Sequence, residues 1–122
     1  MKIRIKGNTV RYRLSKPEVA LLAENGLLEE KTEFISGTLV YAIKRSEGAS
    51  LSADFADNSV VLYVPHSALQ IWTHTEQIGI DSYILLPNGN TLYLLLEKDF
   101  KCTDADVKED QSDYFENPHI TC

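Results

Sequence analysis

Two short hairpin signals, Gly7-Asn8 and Asp57-Asn58, stand fifty residues apart, and the chain runs to the same plan after each of them. Asn8, Thr9 and Val10 match Asn58, Ser59 and Val60. Tyr12, Leu14, Val19, Leu22 and Leu28 fall on Leu62, Val64, Leu69, Trp72 and Ile78. No gap is needed until the last turn, which is three residues longer in the second copy. Pattern carries this match more than identity does. It predicts a repeated strand–strand–helix–strand–strand unit, a period long enough to be a structural repeat. Four short strands leave one apolar face open, so neither unit can bury its own. The two must cover each other.

The alternation inside each unit supplies the elements. Ile3 and Ile5 oppose Lys2, Arg4 and Lys6; Val10, Tyr12 and Leu14 oppose Arg11 and Arg13. Period-two alternation of this kind reads as half-buried strands, here joined by a two-residue turn. A helix comes next: Ser15 is a good N-cap, Glu18 completes a capping box, and Pro17 is tolerated in the first turn. Asn25-Gly26 stops it with residues that accept left-handed backbone. Strands are expected over 28–35 and 38–44, the first crowded by Glu29, Glu30 and Glu33. A polar joint over 44–50 separates the units. The second unit has strands over 52–56 and 59–64. A short helix opened by Pro65 then faces Ala68, Leu69 and Trp72 inward, before strands over 78–86 and 91–97.

The expectation is therefore a mostly β (α+β) domain, internally duplicated, with eight strands in a barrel-like pseudo-dimer and two short helices. Residues 1–101 form it, as halves 1–45 and 51–101. Residues 102–122 form an irregular acidic tail poor in periodicity.

The unit resembles the swapped-hairpin domain of AbrB- and MazE-type proteins. Val60-Val61-Leu62-Tyr63-Val64-Pro65 running into a short helix, the strand over 78–86, a Gly-containing turn and the strand over 91–98 carry the likeness. The resemblance implies a dimer fused into one polypeptide. Two features depart from that family: Leu69, Gln70 and Ile71 replace basic residues in the short helix, and Gln77-Ile78 stand where a Gly-Asp pair is usual. Over its full length the chain is similar to an uncharacterised bacterial family that starts "MKIRIKGN", carries "EKDFKC", and ends in an acidic "ED…F.NP" tail. That likeness implies a small cytosolic protein and adds no mechanism.

Charge narrows the functional classes. The chain carries 12 cations and 18 acids, a formal charge of −6. This weighs against a dedicated nucleic-acid binder, because neutralising phosphates supplies most non-specific affinity. The distribution is uneven, since no acid precedes Glu18. Lys2, Arg4, Lys6, Arg11 and Arg13 share the outer face of the first hairpin, where they could grip DNA phosphates or simply face solvent. At the equivalent outward positions of the second hairpin stand Val61 and Tyr63. Apolar residues there need a cover. Tyr114 and Phe115 of the tail, a partner protein or a second copy could supply it. Cys102, His119 and Cys122 are weak metal candidates, with Asp99 or His74 to complete four ligands, and their spacing fits no standard zinc finger. No nucleophile elbow, phosphate loop or His-Glu-x-x-His helix occurs.

The reading is a non-enzymatic protein-interaction module with no cofactor, and alternatively a DNA-binding regulator or a metal-binding module. The N-terminus alternates charge with apolar residues, unlike a signal peptide. No stretch approaches the ~20 apolar residues of a membrane span. Two cysteines are too few for a disulfide framework, so a reduced, cytoplasmic setting is expected.

Overall fold

A computed structural model describes residues 1–100. In chain order these form β1 (Lys2–Lys6), β2 (Thr9–Leu14), α1 (Lys16–Asn25), β3 (Leu27–Glu33) and β4 (Thr38–Ser46). Then come β5 (Ser52–Ala56), β6 (Ser59–Pro65), α2 (His66–His74), β7 (Gly79–Leu85) and β8 (Thr91–Lys98). The eight strands make two four-stranded sheets, ordered β1-β2-β8-β7 (sheet 1) and β3-β4-β6-β5 (sheet 2). Among the described residues no helix is long and apolar enough to cross a membrane.

Each sheet is assembled from one hairpin of each half. The outer pairs are antiparallel hairpins, and the central pairs, β2 with β8 and β4 with β6, are parallel. Parallel neighbours cannot be joined by a tight turn. Here each central pair joins strands from different halves of the chain. Thr9 pairs with Tyr93 in sheet 1, and Ser59 pairs with Val40 in sheet 2. Exchanging β1–β4 for β5–β8 thus turns one sheet order into the other.

The turns and caps obey local chemistry. Asp57 and Asn58 both adopt positive φ, 50° and 59°, as a two-residue hairpin with the right twist requires. In the first hairpin only Gly7 does so, at 53°. Asn8 instead ties the turn to β8, donating from Nδ2 to the Thr91 carbonyl at 2.8 Å. A capping box pairs Ser15 with Glu18, and α1 ends on Gly26 at φ 68°. That glycine passes the chain straight into β3.

The inward-facing rows of both sheets meet in one core. Sheet 1 contributes Tyr12, Leu14, Leu94 and Leu96, and sheet 2 contributes Ile43, Leu62 and Val64. The helices add Leu22, Leu69 and Trp72, all buried. Trp72 donates its indole N–H to the Ile78 carbonyl at 3.0 Å, so its one polar atom is satisfied inside the core.

Two expectations need correction. The barrel-like closure does not form: β1 and β7 remain edges of sheet 1, and β3 and β5 edges of sheet 2. Closure would need ladder bonds across both seams. Side chains bridge them instead. The Met1 ammonium donates to Glu30 Oε1 of β3 at 2.7 Å, and Ser82 of β7 donates to the Leu51 carbonyl before β5 at 2.7 Å. Second, Leu28 corresponds to Ile80, not Ile78. Leu28 pairs with Ile43 and Ile80 with Leu96, and both pack on the core, whereas Ile78 is exposed. Residues 75–78 intervene between α2 and β7, where α1 needs only Gly26.

Candidate functional site

Successive side chains of a strand point to opposite faces. Burying Ile3, Tyr12 and Leu14 therefore commits their neighbours to the outside. In the register of this hairpin Lys2 pairs with Arg13, Arg4 with Arg11, and Lys6 with Thr9. All five predicted cations stand on the outer face of sheet 1. A depression of about 240 Å³ is lined by Lys2, Ile3, Arg4, Arg11 and Arg13.

The face continues onto strands that the sequence reading did not single out. Arg11 pairs with Leu95 and Arg13 with Glu97 of β8, and these pair in turn with Asp81 and Gly79 of β7. Glu97 gathers the two arginines, accepting from Arg13 Nε at 2.5 Å and lying 3.5 Å from Arg11 Nε. Lys2 Nζ meets Asp99 Oδ2 at 2.9 Å. Among the described residues no ion pair involves Arg4 or Lys6. Beyond Glu97 the face turns aromatic. Tyr83 and Tyr93 are a cross-strand pair with ring centroids 4.7 Å apart and planes tilted by 41°. Tyr93 donates to Asp81 Oδ2 at 3.1 Å, and burial together with that carboxylate raises its pKa.

The outer face of sheet 2 has different chemistry at equivalent positions. Val61 and Tyr63 stand where sheet 1 has Arg11 and Arg13. Across the central pair, Val61 meets the buried Ala42, Ser59 meets Val40 and Tyr63 meets Lys44. Val61, Tyr63 and Val40 are half-buried. Asp54 pairs with Val61 on one side, while Glu29 pairs with Ala42 and Lys31 with Val40 on the other. The result is an apolar centre with a rim of both signs.

A third cluster sits at the seam between the sheets. The Met1 ammonium is held by Glu18 of α1 and Glu30 of β3. Burial alone would lower the amine's pKa, but hydrogen bonds and charge from the two carboxylates outweigh it and leave the pKa raised. Glu18 shows the mirror effect. Burial pushes it up, while the ammonium and the Ser15 hydrogen bonds pull it down to about 2. Tyr41 donates to the other oxygen of Glu30 at 3.1 Å. These groups tie the N-terminus into the fold and leave no coordination site. Among the described residues no group of His, Cys, Asp and Glu could hold a metal ion. Cys102, His119 and Cys122, like Tyr114 and Phe115, lie outside the described residues.

A model of a family of unknown function (DUF7009) matches residues 1–119. The chain belongs to that family. No curated protein and no solved structure matches it. The DUF7009 match spans both sheets and runs on to residue 119, in keeping with the full-length likeness read from the sequence. In this DUF7009 chain the aromatic half of the sheet 1 face was the feature missed. Its signal was present: Tyr93 and Leu95 are out of phase with Leu92, Leu94 and Leu96, so one set of β8 had to face outward. A strand apolar on both phases conceals that.

Proposed function

We propose that the protein is a non-enzymatic protein-interaction module whose partner is a second copy of this chain, docked on the outer face of sheet 2. The observation carrying this is the half-buried apolar centre of Val40, Val61 and Tyr63, set around the buried Ala42 inside a charged rim, the layout of protein–protein interfaces. The rim points to the partner. A two-fold interface must be self-complementary, and Asp54 and Glu29 accompany Lys31 and Lys44 on one face. Sedimentation of the full chain across micromolar concentrations tests it. A dimer is expected, and Tyr63→Glu should convert it to monomer with unchanged circular dichroism. A parent chain that stays monomeric at the highest concentration defeats the reading.

The exchange symmetry supports a finer reading of the fold as well. Residues 1–45 and 51–101 are proposed to be copies of one unit, arranged like the swapped-hairpin dimer that the sequence resembles, with 102–122 outside it. Equivalent strand orders, equivalent parallel registers, and seam contacts at Met1 and Leu51 all favour this.

A further inference from the structure

We propose that the outer face of sheet 1 binds single-stranded nucleic acid, stacking bases on Tyr83 and Tyr93 and holding phosphates on the β1–β2 hairpin. Tyr83 is 73% exposed although it sits mid-strand, and its ring is already steadied by Tyr93 at 4.7 Å. A preformed, water-facing aromatic pair is a stacking platform for any base. Two strands from Tyr93 and three from Tyr83, at about 10 and 14 Å from the spacing of neighbouring strands, runs the row of Lys2, Arg4 and Lys6. Arg11 and Arg13 lie between, aligned by Glu97 beneath them. Bases on one track and phosphates on a parallel track are the geometry of an extended single strand on a sheet.

The formal charge of −6 opposes nucleic-acid affinity at long range, but the charge that a bound strand meets is local. On this face five cations stand against Asp81, Glu97 and Asp99, with Asp99 held by Lys2 and Glu97 by Arg11 and Arg13. A duplex fits poorly. The basic hairpin is paired with β8 along the whole of β2, and its Ile3, Val10, Tyr12 and Leu14 pack on the core, so it cannot enter a groove as a free ribbon. Paired bases would also hide their faces from the tyrosines.

Fluorescence anisotropy of labelled twelve-nucleotide oligo(dT) with the full chain tests the proposal. Duplex DNA of equal length and polyglutamate serve as comparison and competitor. Oligo(dT) should bind at 50 mM salt and weaken roughly 10- to 100-fold by 200 mM, as a few phosphate contacts dictate. Tyr83→Ala should weaken it about 5-fold or more through lost stacking, and Arg4→Glu by at least as much. Both side chains are exposed, so unchanged thermal unfolding would establish that folding is intact. No binding at 50 mM salt overturns the proposal. So does a duplex that binds as tightly as the single strand. Equal displacement by polyglutamate with no effect of Tyr83→Ala also overturns it, leaving a surface that takes any polyanion, acidic peptides included.

Discussion

Glu18 serves two groups at once, and its titration exposes how the N-terminus is held. One oxygen accepts from the Ser15 backbone N–H at 2.9 Å, and the other meets the Met1 ammonium. Its pKa falls from the ordinary 4.5 to about 2, so it contributes stability above the ordinary value that is lost as the pH drops toward the folded one. The ammonium behaves oppositely. Its pKa is raised above 8.0, so its contribution is complete below that value and is lost as the pH climbs through the folded one. Glu18→Gln should therefore cost most between about pH 5 and pH 8, with the gap to the parent narrowing at both extremes. Urea midpoints at three pH values measure this, and a gap that narrows in acid but not above pH 8 would mean that Glu18 acts as a cap alone. The sequence revealed the capping half of this role through the Ser15–Glu18 spacing. The ammonium half was hidden, because it requires Met1, Glu18 and Glu30 to converge from three elements.

The two helices are equivalent in place and unequal in substance. Leu22 fills for α1 the position that Trp72 fills for α2, and both are buried. Trp72→Ala should cost about 3–5 kcal/mol and Leu22→Ala about 2–5 kcal/mol, as large core deletions do. Trp72→Phe keeps most of the volume and loses the bond to Ile78, so about 1 kcal/mol is expected. Denaturant unfolding distinguishes the three. The Ile78 carbonyl also accepts from the Lys98 N–H at 3.0 Å, so it ties the start of β7 to both α2 and β8. A Cβ at Gly79 would stand 2.9 Å from the Leu96 carbonyl oxygen, a backbone atom that cannot rotate away. Gly79→Ala should then cost about 1–3 kcal/mol by overpacking, with the loss falling on the β7–β8 pair. Hairpins, caps and helix faces were legible because each depends on residues close in the chain. A close approach between Gly79 and the neighbouring strand leaves no such mark.

At the scale of the molecule, alternation revealed that two open-faced units must cover each other, and left unsaid how. Strand exchange between the sheets is how the molecule does it. No hairpin of the first half pairs with the other hairpin of that half; β2 finds β8 and β4 finds β6. Parallel partners from opposite ends of a chain have no local code, and the missing barrel closure was unreadable for the same reason. The arrangement makes a strong demand on each half alone. Residues 51–122 without the first half would leave one edge of β6 and one of β8 unpaired, together with their share of the core. They should not fold as a monomer. If the halves are copies of one unit, two such fragments can pair β6 of one with β8 of the other in the register that β2 and β8 now use. A folded homodimer with concentration-dependent melting is then expected from the isolated second half, read by sedimentation and circular dichroism. Mixing in residues 1–47 should draw it toward the original heterologous pairing, whose core was selected as one set. A second half that folds as a stable monomer would show that its hairpins can close on each other, and the exchange would no longer be what holds this fold together.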